Sequence, residues 1–227
     1  MTTNLKMSLG IGAVIALIMA LIVAVFAMSG TTGGQGDQQS AAPGASTVPA
    51  EFLVRDDSHR LSTAADGKVT LVEFLDFECE GCGAVFPHME RIRAEYAGRI
   101  NLVVRYFPMP GHHNADLAAR VAEAAAQQGK FEEMYTRLFE TQIQWGEASE
   151  SKEAFFLDLA REIGLDLDAF KRDLAAPETA ERVKKDQGDG LALGVQGTPT
   201  IFFNGAPLDV EPSYDNLKAK IDAALAS

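Results

Sequence analysis

Cys79 and Cys82 are the only cysteines among 227 residues, and they stand together as Cys79-Glu80-Gly81-Cys82. A pair this close cannot tie distant segments of a chain. Its chemistry is local: it either cycles between dithiol and disulfide or holds a soft ligand. The flanks fix where it sits. Val69 to Phe77 reads as a strand, and from Gly83 to Ala97 apolar residues recur at helical spacing (Val85, Phe86, Met89, Ile92, Tyr96). A cysteine where a strand turns into a helix meets free N–H groups and the positive end of the helix dipole, which lower its pKa.

The start of the chain bears on topology. Leu9 to Met28 is almost wholly apolar and uncharged, about the length that crosses a bilayer as a helix. Lys6 precedes it and no Lys or Arg follows until Arg55, so the positive-inside rule puts the N-terminus in the cytoplasm and the rest outside. The expected layout is a cytoplasmic stub (1–8), a single transmembrane anchor (9–28), a flexible linker (29–50) rich in Gly, Ser, Thr, Gln, Ala and Pro, and one folded domain (51–227). Val25-Phe26-Ala27 offers a signal-peptidase site as the alternative, which would release the domain; the apolar run is long for a signal peptide, and the anchor is preferred. The net charge of −12 argues against a nucleic-acid partner. Outside the cytoplasm structural disulfides usually join distant segments, and this chain has no further cysteine for one.

Gly98 ends the first helix and Ile100 to Phe107 reads as a second strand, broken by Pro108, Pro110 and Gly111. A helical block follows: Asn114, as cap, to about Gln128; Phe131 to Glu140; Ser151 to Ile163; a short helix after Asp166; and Pro177 to about Leu193. Strand signal returns at Thr200 to Phe203, Asn204-Gly205 turns the chain toward Pro207-Leu208, and Ser213 to Leu225 closes it as a helix. A β-α-β half and a β-β-α half, separated by helices, can share one sheet.

In this order the chain resembles the DsbA-like branch of the thioredoxin superfamily, in its membrane-anchored Gram-positive and actinobacterial form. The likeness rests on Val72-Glu73-Phe74-Leu75-Asp76-Phe77-Glu78-Cys79-Glu80-Gly81-Cys82, on Val195-Gln196-Gly197-Thr198-Pro199-Thr200-Ile201-Phe202, and on Ala124 to Phe131 between them. It implies an α/β thioredoxin fold with a helical subdomain inserted at about 112–194, preceded by the N-terminal transmembrane helix. It also implies an extracytoplasmic thiol-disulfide oxidoreductase that oxidises thiols of exported proteins. Cys79 would be the attacking thiolate and Cys82 the resolving cysteine. Pro199 would be a cis-proline facing them, with the Thr198 backbone pairing to an extended substrate, and Glu73 a buried acid relaying protons to Cys82. The disulfide itself would be the redox group, with no bound cofactor or metal. A membrane partner of DsbB or VKOR type would reoxidise a monomeric enzyme.

Other readings are a reductase of exported disulfides, or a thioredoxin-fold chaperone or metal binder using Cys79 and Cys82 as ligands. His112 and His113, after the Pro-Gly turn, either line the rim of the site or are exposed loop residues; the second is expected. Trp145, Phe131, Tyr135, Phe139, Phe155 and Phe156 are expected to fill the helical insertion. The dipeptide Glu80-Gly81 departs from the Pro-His of strongly oxidising relatives. Glu80 and Glu78 are expected to raise the Cys79 pKa and weaken the oxidant. Glu80→His is therefore expected to make the disulfide more oxidising, measured as its equilibrium with glutathione; a potential that stays put or falls overturns this account.

Overall fold

The computed structural model describes residues 50–227. The expected stub, transmembrane anchor and nearly all of the linker lie outside the described residues. Among the described residues no helix is long and apolar enough to cross a membrane.

Five strands form one sheet in the order β1-β3-β2-β4-β5: β1 (His59–Ser62), β2 (Thr70–Leu75), β3 (Asn101–Tyr106), β4 (Thr200–Phe203) and β5 (Ala206–Pro207). β2 is central. It pairs parallel to β3 and antiparallel to β4, with Glu73 opposite Val104 on one side and Ile201 on the other. A strand hydrogen-bonded on both edges and covered on both faces is apolar along its length, and every residue of β2 after Thr70 is buried. The parallel pairing requires a crossover, supplied by α2 (Glu80–Glu95).

β2 alternates between two cores. Leu71, Leu75 and then Phe77 join a large cluster with Cys82, Met89 and Ile92 of α2 and Leu217 and Ile221 of α9 (Tyr214–Ala226). Val72 and Phe74 face a smaller cluster with Val103, Phe107, Val195 and Phe202. Between β3 and β4 run α3 (Ala115–Ala126), α4 (Phe131–Glu140), α5 (Gln142–Trp145), α6 (Glu153–Glu162), α7 (Leu167–Ala175) and α8 (Pro177–Ala192). Trp145, Tyr135, Phe139 and Phe156 are buried among them as expected, and the Trp145 indole N–H reaches Leu138 O at 3.1 Å.

The helix α8 is tied to the sheet by charge and by close approach. Arg105 of β3 is fully buried; it donates to Asp186 (2.7 Å) and Asp189 (2.5 Å) of α8 and to the Phe52 and Leu53 carbonyls of α1 (Ala50–Leu53). Such a charge is tolerated inside a protein only when paired this fully. One turn on, a Cβ at Gly190 would stand 2.6 Å from the Phe107 ring and 3.0 Å from that of Phe74, whereas one at Gly188 would meet nothing within 4 Å. Both glycines lie in the same helix, so alanine gains up to about 1 kcal/mol of helix propensity at either. Gly188→Ala should raise the urea midpoint. Gly190→Ala should lower it, because overpacking two buried rings costs about 1–3 kcal/mol.

Candidate active site

The pairing register brings the two motifs together. Thr200 lies opposite Phe74, so the residues before β4 fall beside the loop that follows β2. The Thr198–Pro199 peptide is cis, and Cys79 Sγ, as a thiol, donates to Thr198 O at 3.2 Å. A Cβ at Gly81 would stand 3.2 Å from Pro199 Cδ and 3.5 Å from Cys79 Sγ.

The two sulfurs, both unpaired, meet different surroundings. Cys79 is half-buried in the N-cap position of α2; Cys82, within the first turn, is fully buried. The Cys79 pKa is lowered to about 5: the Cys82 thiol donates to its sulfur, and the Thr198 side chain and the backbone N–H groups of Cys82 and Gly81 add to this against partial burial. The Thr198 hydroxyl oxygen is buried with no geometric hydrogen bond among the described residues. Burial, the hydrogen bond given to Cys79 and the Glu73 charge push the Cys82 thiol well up. Glu73, 2% exposed on the face of β2 that α2 covers, is raised to about 8, first by desolvation and then by the charges of Glu90 and Cys79.

Against the expectation of a raised Cys79 pKa, the hydrogen bonds to its sulfur carry the net shift downward. Glu78 is buried and accepts from Asn114 N (2.6 Å) and Glu147 N (3.1 Å), joining the active-site loop to the helical insertion. Only Glu80 is exposed. Asn114 also differs from expectation. It precedes α3, but its side chain holds the loop between α5 and α6 instead of capping, taking Lys152 N (2.9 Å) and donating to Ala148 O and Glu150 O.

Three further positions escaped the sequence reading. Asp76, buried at the end of β2, accepts from Glu78 N (2.8 Å), Met109 N (2.9 Å) and His112 Nδ1 (2.6 Å). Gln142 of α5 donates from Nε2 to Phe77 O (2.7 Å) and Cys79 O (2.8 Å). Gly83 makes room for it, since a Cβ there would overlap Gln142 Oε1 and stand 3.0 Å from Cδ. A cleft of about 630 Å³ opens beside Cys79, lined also by Glu80, Gly81, His112, His113 and Glu147. Among the described residues no three His, Cys, Asp or Glu side chains are grouped to hold a metal ion.

The family model described as Thioredoxin matches residues 60–223. The chain is a DsbA-like member of the thioredoxin superfamily. A thioredoxin-like oxidoreductase from Silicibacter pomeroyi DSS-3 is similar to this DsbA-like domain at 29% identity and TM-score 0.65, over 78% of this chain and 98% of that one. The oxidised structure of BdbD from Bacillus subtilis is similar at 25% identity and TM-score 0.63, over 73% and 92%. A Na(+)/H(+) antiporter NhaA from Herminiimonas arsenicoxydans is 37% identical over 150 residues, 66% of this chain but 22% of the antiporter. The chain thus spans about a quarter of the length of the curated relatives it matches.

Gly83→Ala should destabilise the DsbA-like domain by about 1–3 kcal/mol through the clash with Gln142. In the Gln142→Ala background the same substitution should cost at least about 0.5 kcal/mol less. Urea melts of the four proteins close the cycle, and equal costs in both backgrounds would exclude the contact.

Proposed function

We propose that this domain is an extracytoplasmic oxidase of protein thiols, passing its Cys79–Cys82 disulfide to exported proteins. The observation that carries the reading is the contrast between an accessible, stabilised Cys79 thiolate and a buried Cys82 three residues on. A substrate thiolate attacks Cys79 Sγ; the Cys79–Cys82 bond breaks, a mixed disulfide forms, and Cys82 leaves and takes a proton. Glu73, raised to about 8, is protonated at neutral pH and is the group proposed to give that proton. A second substrate thiolate then attacks the substrate sulfur, and Cys79 departs as thiolate. A low pKa makes it a good leaving group and stabilises the reduced protein, which makes the disulfide a stronger oxidant. The substrate takes away the disulfide and the domain keeps two electrons, which a membrane reoxidant of DsbB or VKOR type removes. The Leu9–Met28 segment supplies the anchor and the outward orientation in this proposal, and a single copy holds the whole site.

In the reduced protein Cys82→Ser should trap a mixed disulfide with a model disulfide peptide, which a chaperone or metal carrier would not form. The wild-type couple, equilibrated with glutathione, should be clearly less negative than the thioredoxin value of about −270 mV; a potential at or below it makes the domain a reductase. The pH dependence has a definite sign. Below pH 5 the Cys79 thiol is protonated folded or unfolded and gives no preference. From there toward pH 9 the folded protein holds the thiolate while the unfolded chain keeps its proton, so stability gained through Cys79 grows with pH and levels off above. Melts of the reduced wild type against Cys79→Ser should show this growing difference.

A further inference from the structure

Among the described residues no lysine or arginine lines the cleft beside Cys79. Its titratable groups are Cys79, the carboxylates of Glu78, Glu80 and Glu147, and the imidazoles of His112 and His113. A positive charge facing the thiolate across this acidic cleft would add to the hydrogen bonds that already stabilise it, and of the described residues lining the cleft only the histidines can carry one.

The two histidines are not equivalent. His113 is exposed, and among the described residues its ring makes no hydrogen bond. His112 is partly buried, and its Nδ1 lies 2.6 Å from Asp76 Oδ2, an oxygen that also takes Met109 N at 2.9 Å. That oxygen already accepts from Met109 N, so it is an acceptor toward the ring as well and Nδ1 carries the proton. Nε2 has no hydrogen-bond partner among the described residues and is free to carry the second. The same residue whose side chain fixes His112 takes Cys79 N on its backbone oxygen at 3.2 Å. One residue therefore positions both ring and nucleophile.

We propose that His112, seated on buried Asp76, is the cation that stabilises the Cys79 thiolate across the cleft, and that the loop after β3 thereby sets the oxidising strength of the couple. Burial opposes charging of the ring, but the hydrogen bond and charge of Asp76, with the charges of Cys79 and Glu78, outweigh it and raise its pKa. His112 acts through the field at the sulfur, as a positioning residue. Stronger oxidants of this branch carry histidine between the two cysteines; here Glu80 and Gly81 occupy that place and the imidazole reaches the cleft from another loop. The link to oxidising strength rests on the redox function proposed above; the effect on the thiolate does not.

The test titrates Cys79 in the reduced full-length protein, by thiolate absorbance at 240 nm and by alkylation rate, alongside the equilibrium constant with glutathione. His112→Gln keeps a donor for Asp76 without the charge. It should lower the Cys79 acid constant by about three- to tenfold and make the couple correspondingly less oxidising. His112→Lys should recover most of both, and His113→Gln should change either by less than twofold. A His112→Gln protein within twofold of wild type overturns the proposal, as does a folded Lys variant no better than Gln. A wild type that never exchanges disulfides would sink the oxidoreductase reading while leaving the absorbance titration able to judge His112.

Discussion

A single buried carboxylate joins the parts of this site. Asp76 ends the central strand and holds the backbone of Glu78, the backbone of Met109 and the ring of His112. Isolated in an apolar interior, such a group would shed its charge or its burial. With three donors it can stay buried, and those donors come from the cysteine loop and from the loop after β3. The geometry of Cys79 thus depends on a contact between two segments that are distant in sequence. Glu78 and Gln142 extend the same scheme to the helical insertion, so the nucleophile's backbone is gripped from both subdomains.

That grip produces an asymmetry that sequence proximity alone would not give. Two thiols three residues apart are driven in opposite directions, Cys79 down and Cys82 up. The helix start gives Cys79 two backbone donors, and the hydrogen bond between the thiols favours charge on the outer sulfur at the expense of the inner one. Behind them, burial and then the charges of Glu90 and Cys79 push the Glu73 carboxyl up to about 8. The two sulfurs are separated by solvent access, and the fold supplies that separation by the direction in which α2 leaves the sheet.

Most of the architecture was legible because it was local. Alternation and apolar runs marked β2, β3 and β4, and the glycines at 98, 129 and 164 that end helices have positive φ. β1 was not legible: four residues, with only Leu61 buried, pair at the sheet edge through a register shift. α1, a single turn, offered no period at all. At the site, both cysteines and the Thr198–Pro199 step were legible from their motifs. The partners that hold them were not. Gln142 is 63 residues from the carbonyl it grips, and no local pattern announces such a contact. Glu78 misled because a carboxylate next to a cysteine was read as a charge in water, whereas tertiary hydrogen bonds take it inside. Asn114 occupies a capping position yet serves a loop some 35 residues away, a choice only the folded chain can make.

Gly81 has a consequence for how this family can be retuned. With the proline ring and the sulfur so close to where its Cβ would be, a larger residue at 81 presses on the prolyl loop and alters its spacing from the thiol, whatever its charge. Its neighbour at 80 looks outward and has no such constraint. The dipeptide is therefore two unlike positions in series: a chain that keeps glycine at the inner one can change charge at the outer one without moving the prolyl loop against the sulfur.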